Sequence, residues 1–356
     1  MRIAYLLVFV CITSCISNKR VEKNSWATLH FVKVDSVNPI LTASNIEKFY
    51  CPLNNKIVAW SEKNVLNPAA IVKDNKVYLL YRSQDSGMTS RIGLAVSIDG
   101  LHFLKMAAPI LFPAADSMQR YEWKGGVEDP RIVESENGMY ILTYTAYDGK
   151  IARLCLATST DLLHWKKQGL VLCDEKYANT WSKSGAIVAT QKGNKIIATK
   201  INGKYWMYFG DTDLFIATSI DLIHWTVAEN EETKKIVTAL HPRLGFFDSR
   251  LVEPGPFALL QQDGIHLIYN GSNAANFNES GLPKFTYAAG QAVFDKNKPY
   301  KLISRTNTPF IKPDKPYERV GEVNEVCFVE GLVYFSNKWF LYYGTADSKI
   351  AVAVME

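Results

Sequence analysis

The chain has 356 residues, of which 47% are hydrophobic and 21% are charged, and its formal net charge is +5. This composition is typical of a folded globular protein and excludes an intrinsically disordered one. The net charge is small and no block of Lys and Arg residues follows the N-terminus, which excludes the basic surface of a nucleic-acid-binding protein.

The N-terminus has the pattern of an export signal. A charged start is followed by an apolar run (residues 3–12) and then by the small residues Thr and Ser before Cys15. The run is about ten residues long, half of the roughly 20 that a membrane-spanning helix needs. Residues 12–15 resemble the cleavage box of bacterial lipoproteins, which implies that Cys15 carries a lipid. The alternative is a plain signal peptide with an incidental cysteine.

These features predict three segments. Residues 1–14 form a lipoprotein signal peptide, residues 15–42 a lipid-anchor tether with a connecting segment, and residues 43–356 a single folded domain. The connecting segment is expected to pair with the last strands of the domain. Both alternatives for Cys15 place the mature protein outside the cytoplasm of a bacterium, in the periplasm or on the cell surface. The lipid is the only membrane contact that we expect.

Five similar units of roughly 60 residues follow one another along the domain. Each unit has an apolar first strand, a tyrosine-rich second strand and a short third strand. The first strands begin at Asn67, Glu128, Ser184, Glu253 and Asn324. Five such units predict an all-β chain folded as a five-bladed β-propeller. Three units close with Ser-x-Asp and an aromatic residue four positions later, and there the aspartates Asp99, Asp161 and Asp221 are predicted to cap turns.

The cysteines of the mature chain are widely separated. Cys51, Cys155, Cys173 and Cys327 form no Cys-x-x-Cys pair, so we predict no metal site, and no cofactor is expected. Cys155 and Cys327 lie in apolar runs and are expected to be buried thiols. A disulfide at Cys51 or Cys173 remains open in an oxidising compartment.

Polar residues open most of the first strands, where a buried strand needs none. In a propeller the first strand of each blade lines the central channel, so these residues are expected to meet at one mouth. Carboxylates, arginines and amides around a pocket suit the binding of sugar hydroxyls and the cleavage of a glycosidic bond. The residues are Asn67, Glu128, Asp129, Arg131, Ser182, Lys183, Ser184, Arg250, Glu253, Glu322 and Glu325.

Several motifs together resemble those of glycoside hydrolase family 130 over nearly the whole mature chain. They are Gly-Gly-Val-Glu-Asp-Pro-Arg (residues 125–131), Tyr-Thr-Ala-Tyr (144–147), the Ser-x-Asp-Leu-x-x-Trp closures, Leu-Ile-Tyr-Asn-Gly (267–271) and Tyr-Tyr-Gly-Thr-Ala-Asp-Ser (342–348). The resemblance implies a five-bladed propeller that cleaves β-mannosides with inversion, by phosphorolysis or by hydrolysis. It implies that Asp129 is the general acid.

The resemblance also implies a mannose-binding pocket. Its predicted residues are Asn67, Arg82, Asp85, Ser90, Arg91, Arg131 and Asp347, and Lys183 is a further predicted substrate-binding residue. Aromatic rings stack on the C–H faces of sugars, and about two of five aromatic residues in the channel-side segments are expected to do so. These five are Tyr121, Trp123, Tyr147, Trp181 and Trp206, of which Tyr147 is assigned to the substrate.

Two positions separate phosphorolysis from hydrolysis. Phosphorylases of the family carry cations that hold the attacking phosphate, in a Lys-Asn pair and a His-Arg-Pro triplet. This chain has Lys183-Ser184 at the first position and Tyr208-Phe209 at the second, so the histidine and arginine are absent there. A water nucleophile instead needs a second carboxylate as its base.

Glu253 is the first candidate for this base, and Asp211 is the second. The alternative roles are an ion pair between Glu253 and Arg250, and a turn that Asp211 shares with Asp213. Glu322, Glu325 and Glu330 are further acids, which are expected at the pocket rim or in structural contacts.

We therefore expect an exported, inverting exo-β-mannosidase that hydrolyses β-linked manno-oligosaccharides, with β-1,2 linkages implied by the resemblance alone. Two alternatives remain. A β-mannoside phosphorylase would release mannose 1-phosphate, but export disfavours it, since a sugar phosphate is most useful inside the cell. A non-catalytic glycan-binding propeller lipoprotein is the other, and the presence of Asp129 with a second acid argues against it.

Overall fold

The structure is a computed structural model that describes residues 30–276, 278 and 280–355. The regular secondary structure of the described chain is β-strand apart from two helices of four residues each, and the prediction of an all-β chain is confirmed. The elements are β1 (Val32–Lys33), β2 (Leu41–Thr42), β3 (Lys48–Cys51), β4 (Lys56–Ala59), β5 (Asn64–Lys73), β6 (Lys76–Gln84), β7 (Ser90–Ser97), β8 (Leu104–Lys105), α1 (Gln119–Glu122), β9 (Gly126–Glu134), β10 (Tyr140–Tyr147), β11 (Ala152–Ser159), β12 (Lys166–Leu170), β13 (Ala186–Lys192), β14 (Lys195–Ala198), β15 (Tyr205–Phe209), β16 (Leu214–Ser219), β17 (Trp225–Val227), β18 (Thr238–Leu240), β19 (Leu251–Pro254), β20 (Ala258–Leu260), β21 (Ile265–Ser272), β22 (Tyr287–Phe294), β23 (Leu302–Arg305), α2 (Pro316–Arg319), β24 (Cys327–Phe335), β25 (Lys338–Thr345) and β26 (Lys349–Met355).

The main strands form five antiparallel groups in chain order. These are β5 to β8, β9 to β12, β13 to β18, β19 to β23, and β24 to β26. Strands β1 and β2 both pair with β26, with Val32 opposite Val354 and Leu41 opposite Ile350. The connecting segment therefore completes the last group, as the sequence predicts. Strands β3 and β4 form a separate hairpin.

Apolar side chains of neighbouring groups pack together, and each of three groups adds the same buried polar contact to this packing. A tyrosine of the second strand donates its hydroxyl hydrogen to a buried carboxylate, which also binds a cation. The sets are Tyr144 with Glu122 and Lys167, Tyr269 with Asp248 and Arg243, and Tyr343 with Glu318 and Lys33. These three tyrosines of the repeat are therefore structural, and Lys33 of β1 binds the carboxylate of the last set.

The Ser-x-Asp closures are turns. Each aspartate accepts hydrogen bonds from two backbone N–H groups and from the histidine three residues later, as in Asp99 with Leu101 and His102. The same arrangement recurs at Asp161 and Asp221. The prediction that these aspartates cap turns is confirmed. The histidine in each closure is a further hydrogen-bond partner of the capping aspartate.

Two further predictions concern the chain ends and the thiols. The predicted signal peptide and Cys15 lie outside the described residues. Among the described residues, no helix has the length and apolar character needed to cross a bilayer. Cys51, Cys155, Cys173 and Cys327 are free thiols, so the open possibility of a disulfide at Cys51 or Cys173 is not realised in the structure.

Candidate active site

Three first strands carry a β-bulge at a polar residue. Asn67 is the extra residue of β5, Glu330 is the extra residue of β24, and the bulge of β9 contains Asp129. Asn67 and Asp129 have positive φ angles of 48° and 46°, a conformation that Asn and Asp tolerate better than most residues. A bulge turns a side chain away from the regular alternation of a strand. These three side chains are therefore directed into a shared polar cluster.

The two glycines before Asp129 allow the first two strand groups to meet closely. Gly125 O accepts a hydrogen bond of 2.8 Å from Ser90 N, and Gly126 pairs with Ser90 in parallel. A Cβ on Gly126 would lie 2.2 Å from Ser90 O, and a Cβ on Gly125 would lie 2.3 Å from Cδ1 of Tyr147. Glycine is therefore required at position 126 for this approach, and glycine at position 125 leaves room for Tyr147 of the same strand group.

Asp129 is 2% exposed, and its carboxylate is surrounded by donors from the first and third strand groups. Its Oδ1 accepts hydrogen bonds from Asn67 Nδ2 at 2.9 Å and from Arg82 Nη1 at 3.1 Å, and its Oδ2 lies 3.5 Å from Lys183 Nζ. Burial alone would raise the pKa of Asp129, but the charges of Arg82, Lys183 and Arg131 outweigh it and hold this pKa well below its usual value. Without substrate, Asp129 is an anion.

Glu128 is a second buried acid beside Asp129, and the sequence reasoning did not assign it a role of its own. Its Oε1 accepts hydrogen bonds from Arg82 Nη2 at 2.6 Å and from Ser90 Oγ at 3.0 Å. Burial raises the pKa of Glu128, Arg82 lowers it, and the charge of Asp129 raises it, with a net increase. Arg82 therefore bridges two neighbouring carboxylates and holds the side chain of Asp129 in place.

Lys183 connects Asp129 to the fourth strand group. Its Nζ lies 3.6 Å from Glu253 Oε1, and Ser184 Oγ donates a short hydrogen bond to the same oxygen. Because the facing oxygens of Asp129 and Glu253 both lie within 3.6 Å of this nitrogen, they are at most about 7 Å apart. Burial lowers the pKa of Lys183, but the charges of Glu253 and Asp129 raise it by more, so the ammonium keeps its charge.

Two acids of the cluster, Glu253 and Asp347, have a raised pKa and retain their protons more readily than free carboxylic acids. Burial raises the pKa of Glu253, and Asp211 and Asp129 add to this effect, while Lys183 and Arg131 oppose it. Asp347 lies in the turn between β25 and β26. Burial raises its pKa to about 6, with further contributions from the charges of Asp129 and Glu253, which Arg82 and Lys183 oppose. Glu253 and Asp347 therefore keep their protons to a higher pH than free acids do.

An excess of acids over cations explains these protons. Five buried carboxyl groups interact electrostatically with three cations in the cluster, so full ionisation would leave a buried negative charge. The acids are Glu128, Asp129, Glu253, Glu330 and Asp347, and the cations are Arg82, Arg131 and Lys183. Asp129 has the most cation contacts and remains ionised, whereas the pKa values of the other four are raised.

The rim of the cluster carries an aromatic pair. Trp181 is half exposed, and its Nε1 donates a hydrogen bond of 2.7 Å to Asp211 Oδ2. The ring of Trp181 meets that of Tyr147 edge-on, with centroids 6.3 Å apart. Asp211 thus orients an indole at the rim, and its charge still acts on Lys183 and Glu253.

Asp85 and Arg91 bind each other. Arg91 Nη1 lies 2.8 Å from Asp85 Oδ2, its guanidinium covers the Phe49 ring, and Asp85 Oδ1 accepts the backbone N–H groups of Gly87 and Thr89. The structure therefore brings Asn67, Arg82, Ser90, Lys183 and Asp347 to Asp129, while Asp85 and Arg91 form a separate buried pair. Their contact with a sugar stays a prediction.

Other predicted residues have structural partners. Arg250 donates to Ser272 Oγ rather than to Glu253, and Asp213 pairs with His241 rather than with Asp211, so neither alternative for the two acids is observed. The indole of Trp206 donates to the carbonyl of Ile201. The ring of Tyr121 contacts the guanidinium groups of Arg120 and Arg153. Glu322 is exposed and pairs with Lys63, and Trp123 directly follows α1.

Ser184, Glu128 and Tyr287 are site residues to which the sequence reasoning gave no individual role. Glu128 lies in the Gly-Gly-Val-Glu-Asp-Pro-Arg motif, and Ser184 follows Lys183, so their adjacency to assigned residues was the available signal. Tyr287 starts β22, and its ring lies 5.2 Å from the guanidinium of Arg250. Among the described residues, no group of three or more His, Cys, Asp or Glu side chains is arranged to hold a metal ion.

Known proteins match the chain over almost its whole length. The sequence profile of glycoside hydrolase family 130, described as beta-1,4-mannooligosaccharide phosphorylase, matches residues 34–356. The 1,2-beta-oligomannan phosphorylase of Thermoanaerobacter sp. (strain X514) is 32% identical over 308 residues, which are 83% of this chain and 91% of that protein. The beta-1,2-mannobiose phosphorylase of the same organism is 31% identical over 314 residues, with the same coverage of 83% and 91%.

A solved structure is more similar in sequence. It comes from work stating that the family of mannoside phosphorylases contains glycoside hydrolases that target beta-1,2 mannosidic linkages in Candida mannan. It is 40% identical to this chain, with a TM-score of 0.90, and the match covers 93% of this chain and 95% of that one.

These relatives correct the functional expectation. The two curated relatives are phosphorylases, and the family profile is also described as a phosphorylase. The prediction of a hydrolase in which Glu253 or Asp211 activates water is therefore wrong. The geometry agrees in one respect, since Lys183 places a cation between the two carboxyls, where an anionic nucleophile requires one. The profile match over residues 34–356 and the identity above 30% show that the chain belongs to glycoside hydrolase family 130 and is an enzyme that acts on mannosides.

Proposed function

We propose that the protein is a β-mannoside phosphorylase. It transfers a terminal mannosyl group from a β-linked manno-oligosaccharide to phosphate and releases mannose 1-phosphate and a shortened saccharide. The observation that carries the proposal is the largely buried ammonium of Lys183, which lies within 3.6 Å of both Asp129 and Glu253. The phosphorylase activities of the two Thermoanaerobacter relatives support the same reaction.

Asp129 is the proposed general acid. In the reaction the bond between C1 and the glycosidic oxygen breaks, the proton of Asp129 passes to that oxygen, and a phosphate oxygen forms the new bond to C1 from the opposite face. The configuration at C1 is therefore inverted. Asp129 must first gain a proton, because the cations around it lower its pKa. A phosphate bound at Lys183 adds negative charge beside Asp129 and so raises this pKa when both substrates are present.

The proposed phosphate contacts come from Lys183 and Arg250. Tyr208 and Phe209, which stand where the family's His-Arg-Pro triplet is expected, are buried, and the hydroxyl of Tyr208 donates to Pro299 O. A cation must therefore come from another strand. The guanidinium of Arg250 lies over the ring of Tyr287, and the charges of Arg250, Glu253 and Lys183 all act on the pKa of Tyr287, which burial raises. Arg250 is thus close enough to contribute charge to an anion at Lys183.

Glu253 has a different proposed role from that of a base. A phosphate beside an ionised carboxylate would be repelled, but the raised pKa of Glu253 allows it to hold a proton. A protonated Glu253 can donate a hydrogen bond to a phosphate oxygen. Ser184 and Lys183 fix its carboxyl group for this contact.

Asn67, Arg82, Ser90 and Asp347 are the proposed sugar ligands, since they surround Asp129. Trp181 and Tyr147 form the proposed rim against which the leaving saccharide stacks, with Asp211 holding the indole. The β-1,2 linkage is proposed because both curated relatives act on it according to their names.

We also propose that the five strand groups are the five blades of a propeller formed by residues 43–356, and that the site lies where their first strands meet. The contacts among Asn67, Asp129, Lys183 and Glu253 join four of the groups and support this arrangement. Residues 1–14 and Cys15 are proposed to direct export and lipid anchoring. Incorporation of labelled palmitate into the wild type but not into Cys15→Ser would test the anchor, and equal labelling would refute it.

Product analysis tests the activity. The purified protein is incubated with β-1,2-mannobiose in the presence and absence of phosphate, and mannose and mannose 1-phosphate are separated by anion-exchange chromatography. Mannose 1-phosphate that forms only with phosphate is the expected result. Free mannose released at the same rate without phosphate would contradict the proposal, and so would binding of the disaccharide without turnover.

Two variants control this experiment. Asp129→Asn removes the proton donor and should lower the rate on the disaccharide by about 10²- to 10⁴-fold. Asp263→Asn changes an exposed aspartate that pairs with His266 outside the cluster, and it should leave the rate unchanged. Equal rates for these two variants would refute the assignment of Asp129.

A further inference from the structure

Arg131 is buried, and its guanidinium is used inside the protein. The side chain is 2% exposed. Its Nη1 donates a hydrogen bond of 3.0 Å to the backbone carbonyl of Asp129, Nε donates one of 3.1 Å to Gly255 O, and Nη2 donates one of 2.9 Å to Pro254 O. These contacts leave Arg131 little capacity for a sugar hydroxyl.

The three carbonyls belong to the backbone that carries the two central acids. One is that of Asp129 itself, and the other two follow Glu253 directly in the chain. Asp129 lies in β9 and Glu253 in β19, strands of different groups. A planar guanidinium with several fixed N–H directions can join two strands at one separation, which a flexible ammonium cannot do.

Glu330 is the acid that faces Arg131 from the last strand group. Its Oε1 lies 2.8 Å from Arg131 Nη2 in an ion pair, and neither of its carboxyl oxygens accepts a hydrogen bond of good geometry. The side chain is fully buried on the bulge of β24. Burying a carboxyl group without hydrogen bonds lowers the stability of the folded state, so Glu330 needs a reason other than stability. Its carboxyl group packs against the guanidinium of Arg131, whose N–H groups donate to the three carbonyls.

We propose that Arg131 and Glu330 are positioning residues that set the distance between Asp129 and Glu253, and that Arg131 does not bind the sugar as the family resemblance implies. The inference rests on the proposed role of Asp129 as the proton donor. Other groups act on the same cluster, since Asp129, Glu253 and Lys183 all influence Glu330 electrostatically. The pair acts through the backbone on which the acids are mounted.

Arg131→Lys tests this role because it keeps the charge and loses the planar fork. The rate is measured on β-1,2-mannobiose and on 2,4-dinitrophenyl β-mannoside, whose leaving group departs without a proton from Asp129. A displacement of about 1 Å at the acid costs up to about 10²-fold, so kcat on the disaccharide should fall about 10- to 100-fold while its KM changes less than about threefold. On the dinitrophenyl substrate the loss should be less than about threefold.

Arg153→Lys is the matched control. Arg153 is also buried, pairs with Asp148 and donates to the carbonyl of Ala178, but it does not contact the strands of the two acids. It should affect both substrates equally and weakly. Thermal unfolding of both variants shows whether the fold is retained. Glu330→Gln, which keeps the volume of the side chain, should show the same preference for the dinitrophenyl substrate with a smaller loss, and it decides the question if Arg131→Lys fails to fold.

Two results would overturn the proposal. A rise of about tenfold or more in KM for the disaccharide at unchanged kcat would identify Arg131 as a sugar ligand. Equal losses on the two substrates in Arg131→Lys and Glu330→Gln, or in Glu330→Gln alone if Arg131→Lys does not fold, would leave the pair a merely structural role. Dinitrophenol release reports cleavage with any acceptor, so this outcome is independent of whether the acceptor is phosphate; the mannose 1-phosphate assay answers that separately.

Discussion

Replacing Asp347 with Asn should stabilise the protein at neutral pH and leave its stability unchanged in acid. The pKa of this buried acid is raised from 3.8 to about 6 in the folded protein, chiefly by burial and by the charges of Asp129 and Glu253. The folded state therefore holds a proton that the unfolded chain loses between about pH 4 and pH 6. As the pH rises through that window, the wild type loses stability that the uncharged side chain of Asp347→Asn retains.

The magnitude follows from the shift. About two pKa units at 1.36 kcal/mol each give an upper limit of about 3 kcal/mol for the difference in unfolding free energy at pH 8. The backbone does not oppose the change, because Asp347 has a φ of 47° and Asn adopts this conformation readily. The variant should also lose activity, since the charge that costs stability lies in the proposed sugar pocket.

Urea unfolding at a series of pH values from 4 to 8 measures this difference. Asp263→Asn is the control, since Asp263 is an exposed acid whose pKa is lowered: burial would raise it, but its hydrogen bond to His266 outweighs that effect. This control should not gain stability at any pH. A difference between Asp347→Asn and wild type that stays constant from pH 4 to 8, or a variant less stable than wild type at pH 8, would refute the reasoning.

Three other substitutions test separate parts of the account. Lys33→Met should lower the unfolding free energy by about 3–5 kcal/mol, because it leaves the buried carboxylate of Glu318 without its cation. Lys73→Met removes an exposed ion pair and should lower it by less than about 1 kcal/mol. Equal losses in urea unfolding would contradict the stabilising role of Lys33 in β1. Gly125→Ala should reduce the cleavage rate at least about tenfold, because its Cβ would lie 2.3 Å from the Tyr147 ring at the rim of the site, and an unaltered rate would show that this ring can move aside. Lys183→Met should raise the KM for phosphate at least about tenfold, and an unchanged KM would remove Lys183 from the phosphate site.

Much of the fold is visible in the sequence because it repeats. Five apolar first strands and five tyrosine-rich second strands predict the all-β chain, and the Ser-x-Asp signature predicts three of its turns. The convergence of Asn67, Asp129, Lys183 and Glu253 was also predictable, since polar residues at the starts of buried strands need a common reason. What made these predictions possible is that each depends on a pattern that recurs along the chain.

The partners of individual side chains were not predictable. Asp85 and Arg91 look like pocket residues, yet they bind each other, since the loop between them turns Asp85 back onto its own backbone. The bulge that buries Glu330 beside Arg131 depends on the pairing of β24 with β25, which the sequence does not contain as a local signal. The prediction of water instead of phosphate as the nucleophile was wrong. It relied on the missing His-Arg-Pro triplet and gave too little importance to the cation that Lys183 supplies.

The reverse reaction tests the central claim most directly. A phosphorylase supplied with mannose 1-phosphate and mannose forms a β-linked disaccharide and releases phosphate, whereas an enzyme that uses water cannot store the energy of the glycosidic bond in this way. Phosphate release is measured with wild type and with Asp129→Asn. The account predicts disaccharide and phosphate in equal amounts with the wild type alone. No phosphate from mannose 1-phosphate, in a preparation that still cleaves β-1,2-mannobiose, would contradict it.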